Sequence, residues 1–571
     1  MNASVDAMKK RVYVATGRAK ADLVLKNATF VNVFTLELTH ADIAILNDEI
    51  IGIGKYHGVV EIDASGKYIC PGFIDGLVHL ESSMLTPAEF ASAVIPHGTT
   101  TVIADPHEIV NVIGKKGLDY MMQATENLPL DVFFVSPSCV PATEFDETGG
   151  TFDSDDILAS YSDKRVIGLA EMMNYACVVN AGEDVLTKLA DAKNTGHIVN
   201  GHAPDLKGSE LCAYISTGVL TEHECSDLSA ALERIRLGQY ILIREGTAAK
   251  YLRPLVDLLT PKTYKRCAFC SDDKHPNDLL NFGHIDHNIR EAVALGVSPL
   301  IAVCVATLNT AECYGLRDRG AVAVGYKADL TIIDSLEKIN VKTVIKNGKI
   351  VYSGKPLTIE SPYIDPKLYD ECCHTFKLKE RRSMDFQLNG ASPVIAISRG
   401  ELTTADGGMA DEIDVAADIL KLSIIERYKG TSRIASCYLN GYGLKSGAIA
   451  TSVAHDSHNL IVVGTNERDM AVAANRVVKN NGGLAIADHG KVIRDLPLPI
   501  AGLMTDCPLE EVNEKLKKMK SVAASMGVPE YVDPFMTLSF LSLPVLPSLR
   551  LTTFGVLDVE KRKLVSQQTK K

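Results

Sequence analysis

Short apolar runs bounded by Asn, Asp and Gly open the chain: ADLVLKNATFVNVFTLE, ADIAILNDEIIGIG and VVEIDASGKYICPG. This is the pattern of strands joined by turns. It returns over residues 321–356 in AVAVGYKADLTIIDSL and NVKTVIKNGKIVYSG. Residues 1–69 and 321–360 can therefore complete one small composite β-domain, with everything between them inserted. From Cys70 to about Gly320 the rhythm changes. Apolar runs that end in a polar group alternate with amphipathic stretches, as βα units do. There are eight such runs: YICPGFIDGLVH, TTTVIADPHE, LDVFFVSPS, RVIGLAEMM, HIVNGHAP, GVLTEHE, QYILIRE and RCAFCSDD. TPAEFASAVIP, EDVLTKLADAK, SELCAYIST, LSAALERIRLG and AKYLRPLVDLL read as helices between them. The first has Thr86, Pro87 and Glu89, the residues of a capping box with Pro at the first helical position.

Eight strand–helix alternations in ~250 residues predict an α/β fold, a (β/α)₈ barrel spanning residues 70–320. A third region, 361–571, mixes the two periods. SPVIAISRGELTT, GAIATSVAHDSHNLIVVG, GGLAIADHGKVIRDLPLPIAG and MTLSFLSLPVLP read as strands, and DMAVAANRVVKNNGG and LEEVNEKLKKMKSVAASMG as helices. An α+β domain is expected there, with polar linkers such as KLKERRSMDF and a short basic tail at 567–571.

At 571 residues the chain is too long for one ordinary core, and a barrel with two further domains accounts for its length. A formal charge of −12, from 59 Lys and Arg against 71 Asp and Glu, opposes a grip on nucleic-acid phosphates, which needs a clustered basic face. A neutral base is not excluded as substrate. The N-terminal twenty residues lack an apolar stretch behind their basic residues, so no secretory signal is expected. No window reaches the ~18 apolar residues of a membrane span. Cytoplasmic placement and a homo-oligomer follow as expectations, with neither nucleic acid nor membrane as partner. Thirteen cysteines, an odd number, suit reduced thiols. Cys267 and Cys270 form a CxxC on a strand, where residues three apart face opposite sides. They are read as packing thiols rather than metal ligands.

The chemistry concentrates at the ends of the barrel strands, the rim where such folds build active sites. His79 follows strand one, Asp105 and His107 strand two. Glu171 ends strand four, His202 strand five, His223 strand six and Asp272 strand eight. Imidazoles and carboxylates with one open position suit a hydrolytic metal, which brings the pKa of water to about 7. The loops after strands one and two add Glu81, Ser82, Ser83, Asp105, His107 and Glu108. These are donors and acceptors able to read a base edge, although Ser residues there also suit a cap or turn. In the last region His455, Asp456 and His458 form a further cluster, open to a second metal site, a lid contact or a hydrogen-bonded loop.

The stretches PGFIDGLVHLESSMLTP, PHGTTTVIADPHEIVNVIG, VIGLAEMMNY, NGHAP, TEHE and CSDD closely resemble adenine deaminases of the amidohydrolase superfamily. The resemblance continues through VAHDSHNLIVVGTN, LPLPIAGLMTD and PFMTLSFLSLPVLP and covers nearly the whole chain. It implies a barrel with a small β-domain and a further C-terminal domain. It also implies one or two metals, Mn²⁺ or Fe²⁺, bridged by a Glu. On that pattern Glu171 is the bridge, His202 and His223 hold one metal, and Asp272 binds the other and accepts a proton. His79 is the second His of a strand-one pair. The first stands as Leu77 here, in Asp75-Gly76-Leu77-Val78-His79. Leu cannot ligate a metal, and residues 77 and 79 share a strand face, so fewer than two metals per subunit are expected. The implied reaction is deamination of adenine to hypoxanthine and ammonia. Hydrolysis of another cyclic amide, or purine binding with weakened turnover because of Leu77, stay open as alternatives.

Overall fold

The computed structural model describes residues 4–204, 206–399, 402–431 and 433–565; the tail at 567–571 lies outside the described residues. Three bodies of structure follow one another. The first is a sheet that draws on both ends of the barrel segment. Leu330–Ile333 pairs antiparallel with Tyr68–Pro71, which in turn lies beside Ala21–Asn32. The run YICPGFIDGLVH, expected as one strand, is therefore two: Tyr68–Pro71 joins this sheet and Phe73–Val78 opens the barrel. The break falls at Gly72, where a Cβ would lie 2.2 Å from Thr100 Oγ1. Only glycine fits that approach.

Eight parallel strands form the barrel: Phe73–Val78, Thr99–Ala104, Asp131–Ser136, Val166–Met172, Ile198–Gly201, Thr221–Glu222, Tyr240–Arg244 and Cys267–Cys270. The first two are buried at every position, as strands covered on both faces must be. The ring closes where Asp272 N–H donates to Leu77 O at 2.9 Å and His79 N–H to Asp272 O at 3.2 Å. Asp75 ties the same seam from within. Its Oδ1 accepts the N–H groups of Leu77 and Ser271, and its Oδ2 accepts the Ser271 hydroxyl and lies 2.8 Å from His284 Nε2. A hydrogen bond to a charged group is worth ~1.5–3 kcal/mol. Asp75→Ala should accordingly lower unfolding stability by about 3 kcal/mol or more, read as a lower urea midpoint at an unchanged slope. A wild-type midpoint would refute the latch.

Two local expectations are corrected. Thr86 does precede the helix Pro87–Val94, but its side chain makes no capping bond. Glu89 instead accepts the Leu509 N–H at 2.8 Å, so the last domain has taken the capping carboxylate. MTLSFLSLPVLP was expected as a strand and begins with the helix Met536–Phe540. Asp533 Oδ1 accepts the N–H groups of Phe535 and Met536, which starts a helical turn. Met536, Leu538, Ser539 and Phe540 are all buried, and a fully buried apolar run carries no period to separate helix from strand.

The C-terminal body is a mixed sheet of eight strands between Ser392 and Pro497. Helix Glu467–Lys479 packs on it through Met470, Ala473, Ala474 and Val477, the i, i+3, i+4, i+7 stripe. Its start is capped by Asn466, whose side chain accepts the Asp469 N–H. This body sits on the barrel mouth. Thr505 N–H donates to Met84 O, and Asn459 Nδ2 donates to Glu147 O. A single apolar core runs from barrel residues such as Phe90 and Leu169 to Leu503 and Leu538. All thirteen cysteines are free thiols. Cys267 and Cys270 lie in different apolar clusters. Among the described residues no helix is long and apolar enough to cross a membrane.

Candidate metal centre and active site

His79, Glu171, His202, His223 and Asp272 converge at the barrel mouth. Glu171, at the end of strand four, lies between the three rings: Oε1 is 3.1 Å from His79 Nε2, and Oε2 is 3.0 Å from His202 Nδ1 and 3.2 Å from His223 Nε2. Asp272 Oδ1 is 3.0 Å from His79 Nε2. Asp272 has a left-handed backbone, φ 56°. This conformation is uncommon outside glycine, though Asp tolerates it, and it clusters at functional sites. All five residues are buried.

Local bonds orient the rings. His79 Nδ1 lies 3.0 Å from Asp105 O; a ring N–H given to that carbonyl leaves the Nε2 lone pair facing Glu171 and Asp272. His202 is placed by its own N–H, which donates to Tyr214 Oη at 3.0 Å. Glu222 accepts the N–H groups of Ala203, His223 and Glu224, fixing the loops after strands five and six. Burial opposes the charge on Glu171, but His223, His202 and His79 outweigh it and hold the carboxyl well below the usual range. Burial likewise opposes the charge on Asp272, and Arg244 and His79 hold its pKa down.

The residues fit a divalent metal. His202 Nε2 and His223 Nδ1 are buried with no hydrogen-bond partner, an arrangement that native proteins seldom leave without a ligand. Glu171, His202 and His223 offer ligand atoms within 4.8 Å of one another. The same holds for His79, Asp272 and Asp273, and for His79, Asp105, His107 and Glu171. Asp105 and His107 thus stand beside the metal donors, with the His79 and His107 rings 4.6 Å apart.

The other loop residues divide. Ser82 Oγ donates to Asp273 Oδ1 at 2.5 Å, at the edge of the centre. Ser83 is turned into its own loop, donating to Leu80 O and accepting from Leu85 N–H. Glu81 Oε1 accepts the Ile109 N–H, and burial with Glu108 nearby pushes its carboxyl up to about 7. Glu108 is held by both His455 and His458 of the last domain. Leu77 is fully buried among Leu242, Ala268 and Cys270.

Three site residues escaped the sequence reading. Arg244 ends strand seven, with Nε 2.7 Å from Asp272 Oδ2 and Nη2 3.3 Å from Asp273 Oδ2, and it also pairs with Glu224. The strand-end rule that found Asp272 points equally to Arg244 in QYILIRE. Glu224 and Asp273 are the immediate neighbours of chosen residues in TEHE and CSDD, and sequence offers no signal for which of two adjacent carboxylates turns inward.

Residues 68–351 match the amidohydrolase family, and residues 398–563 match the adenine deaminase C-terminal domain. The adenine deaminase of Clostridium acetobutylicum is 43% identical over 98% of this chain and 100% of its own length. That of Kosmotoga olearia is 44% identical over 97% of each. The chain belongs to the adenine deaminase family. Its fold is that of an amidohydrolase barrel. Among solved structures, a β-aspartyl dipeptidase from Fervidobacterium islandicum is 18% identical, with a TM-score of 0.46, over 61% of this chain and 100% of its own.

Proposed function

We propose that this family member is a metal-dependent hydrolase that converts adenine to hypoxanthine and ammonia, with manganese or iron as the bound metal. The observation that carries the reading is the buried convergence of Glu171 with three imidazoles and Asp272, in a chain more than 40% identical to named adenine deaminases over nearly its whole length. His202, His223 and Glu171 would hold one metal, and His79 with Asp272 would contribute to a second. A divalent cation there supplies Lewis acidity, which makes water a nucleophile near neutral pH. Asp272 takes the proton of the attacking water and delivers it to the departing amine at C6 of the base, as a general base and then a general acid. Arg244 keeps that carboxyl ionised until the proton arrives. Glu171 stands between the three rings, and its negative charge would offset that of the bound cation.

Treatment with a chelator should abolish ammonia release from adenine, and reconstitution with manganese or iron should restore it, with hypoxanthine formed in equal amount. A protein that releases no ammonia from adenine yet opens a cyclic amide would overturn the substrate assignment. Asp272→Asn should keep the fold and lower turnover by ~10²-fold, within the usual worth of positioned acid–base groups. A loss under about tenfold in steady-state kinetics would remove Asp272 from this role.

A further inference from the structure

The C-terminal body brings two histidines to the barrel mouth on the loop after Ala448–Thr451. His458 Nδ1 accepts the Ala454 N–H at 3.2 Å. Its ring proton therefore sits on Nε2, which donates to Glu108 Oε2. That proton argues against a metal on His458 and for a bond that aims Glu108. The other oxygen of Glu108 takes His455 Nδ1. Phe540 stacks on the His455 ring, with centroids 4.6 Å apart and planes at 26°. His455 is thus fixed by Glu108 at one nitrogen and by Phe540 on one face.

Its remaining nitrogen is not. His455 is 2% exposed, and its Nε2 has no hydrogen-bond partner; the nearest carboxylate oxygen, Asp273 Oδ1, is 4.0 Å away. Asp273 itself lies within 4.8 Å of the donor atoms of His79 and Asp272. The free nitrogen thus has as its neighbour a carboxylate that itself stands beside His79 and Asp272. A narrow cavity of ~10 Å³, room for about one water, lies beside it, with Met84, Val453, Phe535 and Met536 as apolar walls and Ser82 and His275 as polar lining. The hydrogen-bonded loop alone accounts for Nδ1 of His455 and leaves Nε2 without a reason, since burying such an atom unpaired is costly.

We infer that the base-binding slot is shared between barrel and C-terminal domain, and that His455 Nε2 hydrogen-bonds a ring nitrogen of the purine, with Glu108 and His458 as its positioning residues. The inference rests on the deaminase reading and deepens it. It also gives the C-terminal domain a direct part in substrate recognition.

The test uses full-length, metal-loaded protein and purine, which has no amine to lose, with its 1-, 3- and 7-deaza analogues. Calorimetry should show one analogue binding wild type ~10–100-fold more weakly than purine, the range of a charge-assisted hydrogen bond. His455→Ala should weaken purine by the same factor and lose its preference over that analogue, with metal content unchanged. His455→Gln, which keeps the bulk and a polar end, serves if the smaller side chain perturbs folding. Retained purine affinity and retained discrimination in both variants would overturn the inference. Loss of metal alongside affinity would also overturn it, by assigning His455 to the metal centre. Wild type that binds no purine at all would defeat the deaminase reading first, and that result is visible before any variant is made.

Discussion

Glutamine in place of Glu171 should empty the metal centre and bring turnover down by more than ~10³-fold, because both depend on one carboxylate. Among the described residues Glu171 is the one carboxylate within 4.0 Å of His79, His202 and His223 together, at 3.1, 3.0 and 3.2 Å. Its ionised form would offer two oxygens to a divalent metal, whereas an amide is neutral and keeps only one acceptor oxygen. Losing an outer hydrogen bond to a metal ligand typically costs 10–100-fold in affinity; removing the shared ligand itself should cost more. Elemental analysis after dialysis and steady-state ammonia release would be measured on the same preparations, with circular dichroism to show that the barrel persists. Full metal content with normal turnover in Glu171→Gln would sink the assignment.

Much of this centre was legible because a barrel reduces three-dimensional placement to one rule. Polar residues ending parallel strands meet at a common rim, so His79, Glu171, His202, His223 and Asp272 converge although up to 193 positions separate them. The rule depends only on recognising strands, and those runs carry apolar stretches that mark them. What stayed hidden depends on contacts between domains. Glu89 looks like a capping residue until the last domain presents the Leu509 N–H to it. Glu108 looks like a base reader until His455 and His458 arrive on its two oxygens. The three partners lie 347 to 420 residues from the carboxylates they engage, and no local period encodes such pairing. The helix at Met536–Phe540 was missed for a different reason: four of its five residues are buried, which weakens the periodicity.

Leu77→His should raise metal content from about one to two per subunit and increase turnover by ~10²-fold or more, the scale on which metal sites respond to their ligands. Leu77 lies two residues before His79 on the first barrel strand, and its N–H is held by Asp75 Oδ1 at 3.2 Å. Its side chain is buried with Leu242, Ala268 and Cys270. Those apolar neighbours offer an imidazole no hydrogen bond, so a metal bound by His79 and Asp272 would be its partner. The variant should therefore be less stable than the present protein when stripped of metal, since an unpaired polar group is costly in an apolar cluster. It should gain more stability on loading, since a ligand that binds only the native state stabilises it by mass action. Melting temperatures with and without manganese, alongside metal stoichiometry and kinetics, separate this from a simple packing change. A packing change would shift both melting temperatures together and leave the stoichiometry alone. One outcome would redraw the ligand set. If the Leu77 protein already holds two metals and matches the variant in turnover, neighbouring donors fill the vacancy. Asp105 and His107 are the ones placed to do so, within 4.8 Å of His79 and Glu171.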